Sequence, residues 1–164
     1  MSRGFVKEDD QEEAPIIPPR AALPAGETNY VTPHALQELK NEEEELIEER
    51  ANLDKENDTE RRRAQAFIDG NLKLLRERIS TARLLDPKDQ PEDEVRFGAV
   101  VEFTQDNINQ KFQIVGVDEA DVKNQKIAFV APIAKAVTGK KVGDKIDFKL
   151  GEETRKLEIL KITY

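Results

Sequence analysis

The chain has 164 residues, of which 37% are charged, with a net charge of −8, no Cys and a single His. Without thiols there is no disulfide framework, thiolate zinc site or cysteine nucleophile, and His34 alone excludes histidine metal clusters and nearly all acid–base pairs. The length bounds the chain to one or two small domains, and 5% aromatic residues favour one modest core with an elongated part.

No apolar run approaches the roughly 18 residues of a membrane span, and the first residues lack the apolar centre of a signal peptide. A cytoplasmic protein with no membrane partner is expected. Residues 1–94 hold 14 basic and 24 acidic side chains, and residues 95–164 hold 12 and 10. That balance argues against a protein whose main business is neutralising phosphates.

Residues 1–30 are acidic and then proline-rich (Pro15, Pro18, Pro19, Pro24), a composition that buries too little surface to offset chain entropy. They are predicted to form a flexible, extended tail. Ile16-Ile17, set between prolines, reads either as a docking peptide in polyproline-like conformation or as part of a solvated tail.

Residues 31–86 are predicted to form an antiparallel helical hairpin. Thr32 is a good N-cap, and Pro33 is preorganised for the first helical position. Leu36, Leu39, Leu46 and Leu53 lie on one stripe, while Glu42 to Glu45 and Glu48-Glu49 keep the other faces in water. The partner stripe is Ile68, Leu72, Leu75, Ile79 and Ala82, spaced alternately by 4 and 3. The second arm is basic (Arg61, Arg62, Arg63, Lys73, Arg76, Arg78) and the first acidic, so charge selects the pairing and leucine burial stabilises it. The arginine run reads as a charged face paired with the opposite arm or as a contact with nucleic acid or protein carboxylates. Between the arms, Leu53 to Thr59 interrupts the pattern with turn formers, giving a tip with Asp54, Glu56, Asn57 and Asp58.

Asp86-Pro87 ends the second helix, which is expected to run to about Leu85. From residue 95 the period changes to short β runs at 99–103, 112–115, 127–130, 146–148 and 157–162, with one short helix at 133–137. Asp106-Asn107, Asp118 to Asp121, Gly143-Asp144 and Gly151-Glu152 read as turns, giving a small, largely antiparallel sheet. Gly139 to Gly143 lacks the Gly-Lys-Ser/Thr context of a P-loop. The fold class is therefore α+β.

Within residues 98–164, Ile114-Val115-Gly116 with Asp118-Glu119-Ala120-Asp121, then Ala131-Pro132-Ile133-Ala134-Lys135-Ala136, Gly139 to Asp144 and the terminal Ile159 to Tyr164 resemble the Gre family of bacterial transcription elongation factors. Gly70, Arg78-Ile79-Ser80-Thr81-Ala82 and Leu85-Asp86 resemble the family's second helix, and the N-terminal tail lies outside the family pattern. The resemblance implies a factor that binds RNA polymerase. An FKBP-like β-rich domain at 95–164 would sit at the rim of the secondary channel, with Pro132 and Ile133 as polymerase contacts, and the coiled coil would enter the channel. It implies no catalytic residue of the chain's own and no resident cofactor. Asp54, Glu56 and Asp58 are the candidate acidic tip, and Asp54 and Glu56 the candidate ligands of a magnesium ion shared with the polymerase, whose two-metal chemistry cleaves backtracked RNA. DNA and nascent RNA would be reached mainly through the polymerase, and the chain would be a monomer.

In the family the tip Asp lies three residues before the Glu of a Glu-Asn pair, whereas here Asp54 lies two before Glu56-Asn57. Each arm is also about seven residues shorter, which at ~1.5 Å per residue withdraws the tip by roughly 10 Å. The expectation is thus an elongation factor that stimulates RNA cleavage; the alternative is a non-cleaving channel regulator that competes with cleavage factors. A prolyl isomerase, from the FKBP-like fold, and a coiled-coil scaffold without a polymerase partner are the readings from other classes.

Overall fold

The computed structural model describes residues 13–164. In chain order these form β1 (Tyr30–Val31), α1 (Pro33–Ala51), α2 (Asp58–Thr81), β2 (Arg83–Leu84), β3 (Val100–Gln105), β4 (Ile108–Val115), β5 (Lys126–Ala128), α3 (Pro132–Val137), β6 (Lys145–Leu150) and β7 (Glu153–Thr163). Among the described residues no helix is long and apolar enough to cross a membrane.

The helical hairpin begins as its sequence dictates. The Thr32 hydroxyl accepts the Ala35 N–H at 3.1 Å, and Pro33 occupies the first turn, where its missing donor costs nothing. Asn57 caps α2 by accepting the N–H groups of Thr59 and Glu60, both at 3.1 Å. Val31, Ala35, Leu39 and Leu75 form the buried seam at the base, with Leu36, Leu46, Ile79 and Ala82 packed against it. Ile68 and Leu72 are buried further along α2. Leu46 and Leu53 are only half-buried, and Ile47 and Phe67 are exposed at 44% and 41%, because two helices alone cannot enclose a wide apolar stripe. Across the arms Arg76 pairs with Glu43 at 3.4 Å and Arg50 with Asp69 at 2.7 Å. The Arg50 guanidinium, through its hydrogen bond, holds the Asp69 carboxyl below the usual carboxylate range.

The second helix ends at Thr81 rather than near Leu85. Residues 83–84 instead pair in parallel with residues 30–31, Tyr30 opposite Arg83 and Val31 opposite Leu84. The segment preceding α1 returns alongside the exit from α2 and offers its carbonyls: Asn29 and Val31 accept the N–H groups of Arg83 (2.8 Å) and Leu85 (3.0 Å). An extended ladder therefore replaces the last helical turn. Two-residue strands carry no period, so the sequence gives no sign of them.

The second unit is a five-stranded sheet ordered β5-β4-β3-β7-β6. Its β3–β4, β3–β7 and β6–β7 pairings are antiparallel, and β4–β5 is parallel. The largely antiparallel expectation thus meets one exception, made by the crossover through residues 116–125. Asp106 and Asn107 join β3 to β4 with φ of 50° and 67°, the left-handed pair that a two-residue turn between twisted strands requires. Val95, Ala99, Val101, Phe103, Phe112, Ile114, Leu157 and Ile159 build the core, closed on one side by Ala134 and Val137 of α3. The C-terminal Tyr164 hydroxyl donates to the Glu94 carbonyl at 2.6 Å and accepts the Arg96 N–H at 2.7 Å, fastening the connection from the hairpin to the sheet. Burial raises that phenol above its ordinary pKa.

The two units meet at Tyr30, whose ring lies 5.9 Å from Phe97 and 5.6 Å from Phe129 between centroids. Gly116 makes the approach possible, because a Cβ there would lie 2.3 Å from the Tyr30 carbonyl oxygen, a backbone atom with nowhere to go. Gly116→Ala is expected to destabilise the chain by about 2 kcal/mol, a thermal midpoint roughly 6 °C lower, through overpacking at this junction. A melt within 1 °C of the parent, an approximate error limit on this scale, would contradict the close-approach assignment.

Candidate functional site

The hairpin tip is assembled by capping chemistry. Asn52 ends α1, its N–H bonded to the carbonyls of Glu48 and Glu49. The chain then turns, and the Asp54 Oδ1 accepts the Glu56 N–H at 2.9 Å, a local turn closed by a short acidic side chain. Asn57 caps α2, and Asp58 begins it, with its Oδ1 2.9 Å from Nη2 of Arg61. The positive end of the α2 dipole favours acidic groups here, whereas the negative end of α1 opposes them.

The three acids predicted for this site are therefore brought together, all exposed, but not equivalent. Asp54 keeps one oxygen outside its turn bond, and Asp58 is paired with Arg61. The Glu56 carboxylate makes no hydrogen bond or ion pair among the described residues. Carboxylate oxygens suit a hard cation such as magnesium, which retains several waters and accepts one or two protein ligands. Among the described residues no group of three or more His, Cys, Asp or Glu converges to hold a metal. The donors available at the tip are the second Asp54 oxygen and the Glu56 carboxylate, oxygens of the kind a hard cation takes.

On the sheet unit, Pro132 is exposed at the start of α3, while Ile133 is half-buried and packs against the core. Of the two, Pro132 is the more exposed. His34 is exposed on α1.

Residues 13–29 contain no helix or strand, but the expected free tail is fastened over this part. Arg20 bonds both oxygens of Glu42 at 2.8 and 3.1 Å and Asp118 at 3.0 Å. The reason is electrostatic: Arg20 is the cation placed between two acidic groups of different units. The remainder of the tail, residues 1–12, lies outside the described residues. Sequence reasoning missed Arg20, embedded in proline-rich chain, and read Asp118-Glu119 as a turn and as part of the family resemblance, not as a partner of the tail.

The described residues thus define an α+β protein, a two-arm helical rod with an acidic apex mounted on a small mixed sheet. Residues 90–164 match the family model for the C-terminal domain of transcription elongation factors GreA/GreB. Transcription elongation factor GreA of Thermodesulfovibrio yellowstonii is 33% identical over 151 residues, covering 82% of this chain and 96% of that protein. GreA of Acidiphilium cryptum is 39% identical over 105 residues, 63% of this chain and 67% of that protein. Among solved structures, GreA factor homolog 1 (Gfh1) of Thermus thermophilus matches with a TM-score of 0.37 at 22% identity, over 84% of this chain and 100% of that one. GreA/GreB of Nitrosomonas europaea matches with a TM-score of 0.40 at 21% identity, over 82% and 98%.

The chain belongs to the GreA/GreB family of transcription elongation factors. It is a transcription factor and not an enzyme in its own right.

Proposed function

We propose that the chain binds RNA polymerase, inserts the hairpin into the secondary channel and presents Glu56 and Asp54 to the polymerase's catalytic magnesium, promoting cleavage of backtracked RNA. The observation that carries this reading is the Glu56 carboxylate, unbonded among the described residues at the apex of a rod whose two helices are capped on either side of it. Magnesium, when bound in the polymerase, supplies the activated nucleophile and the clamp on the displacement. This chain's part is to hold carboxylate oxygens at a fixed point. Pro132 is the rim contact. DNA and nascent RNA are reached through the polymerase, and the factor works as a cytoplasmic monomer.

One observation favours a second reading, in which the chain occupies the channel without promoting cleavage. The first helix has 19 residues, a rod of about 28 Å, and Asp58 is already paired with Arg61. Consistently, only 82% of the chain lies in a GreA alignment 151 residues long, so that relative carries residues this chain lacks. The isomerase reading loses support because Phe97, Phe103 and Phe112 are buried in the core and do not line a peptide pocket.

Photo-crosslinking tests the binding mode. A benzoylphenylalanine replacing Lys55 is expected to attach to the interior of the polymerase channel, and one replacing Pro132 to its rim. Attachment of both to the outer surface alone would refute the proposal.

A further inference from the structure

A gap of about 360 Å³ separates α1 from the 118–126 segment of the sheet unit, and carboxylates line both sides: Glu38, Glu42 and Glu45 on the helix, Asp118 and Glu119 opposite. Like charges facing across a gap repel, more strongly where water is partly excluded, and the side chains of Asp118 and Glu119 are only 5% and 7% exposed. Glu119 accepts from the Thr32 hydroxyl at the hairpin base at 2.6 Å and takes its counter-charge from Lys126, seven residues on, at 3.2 Å. Asp118 draws its counter-charge from elsewhere in the chain. Arg20 donates to its Oδ1 at 3.0 Å, and Arg78 of α2 approaches its Oδ2 at 3.5 Å.

Arg20 is the group that turns this repulsion into adhesion. One guanidinium spans the gap, with Nε–H to Asp118 and both terminal nitrogens to Glu42. A planar fork can serve two carboxylates at once, which a lysine ammonium cannot do with the same geometry. Its place along the rod adds leverage. Glu42 lies nine residues beyond Pro33, about 14 Å up the helix from the Tyr30 junction, so a bond there resists tilting better than a contact at the pivot.

Arg20 is itself held in place on both sides. Arg78 donates to the Ala21 carbonyl. Ile17 lies over Gly70 of α2 so closely that a Cβ at Gly70 would be 2.5 Å from the Ile17 Cδ1. The missing side chain makes the notch that seats the isoleucine.

We propose that residues 17–21 form a strap that fixes the angle between hairpin and sheet unit, with Arg20 as its positioning residue and Ile17 in the Gly70 notch as its anchor. The strap sets where the tip points before any partner is met, independently of what the tip does.

Because the chain has no cysteine, the test is direct. Lys55→Cys at the tip and Lys149→Cys on β6 take nitroxide labels in the full-length protein, and pulsed electron resonance reads the distance distribution between them. The otherwise unaltered chain is expected to give one narrow peak. Arg20→Ala and, separately, Ile17→Ala are expected to lose it in favour of a broad distribution, with helix content by circular dichroism unchanged. Glu42→Gln, a change at a half-buried position that leaves the Arg20–Asp118 bond in place, is expected to broaden the peak to a smaller extent, and it serves as the deciding variant if Arg20→Ala loses helix. A parental distribution in every helix-retaining variant overturns the strap.

Discussion

Changing Asp54 and Glu56 together to alanine is expected to lower factor-stimulated cleavage of a backtracked transcript about 100-fold, equivalent to ~2.7 kcal/mol of transition-state stabilisation, the size of a lost preorganised electrostatic contact. Both side chains are exposed, so neither change opens a cavity, and affinity for the polymerase should stay within about twofold, since such surface substitutions rarely cost more than ~0.5 kcal/mol. Asp58→Asn should have little effect on cleavage, because that carboxylate is engaged by Arg61 at the first turn of α2. The assay is transcript shortening in a stalled complex, with binding measured alongside. If the unaltered chain gives no stimulation but suppresses shortening by a cleavage-competent relative, the channel-occupying reading replaces the first. If the double variant stimulates as well as its parent, the tip is a turn and nothing more.

Leu75→Ala is expected to cost about 3 kcal/mol, lowering the thermal midpoint by roughly 6–12 °C. The residue is 0% exposed and sits at the centre of the hairpin seam with Val31, Ala35 and Leu39, so truncation removes its transfer energy and leaves a cavity that two rigid helices cannot close. Leu46→Ala, at a half-buried position further along the same seam, should cost less than half as much. Equal losses at the two sites would mean that the seam is packed uniformly to the tip, contrary to the exposure of Ile47 and Phe67.

The sequence showed most plainly what depends on local chemistry. Thr32-Pro33 marks a helix start because a side-chain oxygen and a ring act within three residues, and it stands where the pattern puts it, whereas Asn57, read only as a turn former, proves to be the cap of α2. The short apolar runs of the C-terminal unit overlap its strands because those strands turn apolar side chains toward the core. What was hidden depends on partners distant in sequence. Arg20 and Asp118 are 98 residues apart, and neither shows anything unusual in its own neighbourhood. The parallel pair at residues 30–31 and 83–84 is too short for any periodicity. At the tip, the family resemblance pointed to the three acids, but only the structure shows that Arg61 pairs with Asp58 while Glu56 has no such partner among the described residues.

The pairing of Tyr30–Val31 with Arg83–Leu84 also bears on how reach can be adjusted. Since the polypeptide enters and leaves the rod side by side, everything between behaves as a removable insert on a fixed doorway. Excising or adding seven residues on each side keeps the stripe in phase, as two turns of helix nearly repeat the same face. Such a change alters the length of the probe without disturbing its mount, so the distance it spans is a tunable ruler, separable from the platform that carries it.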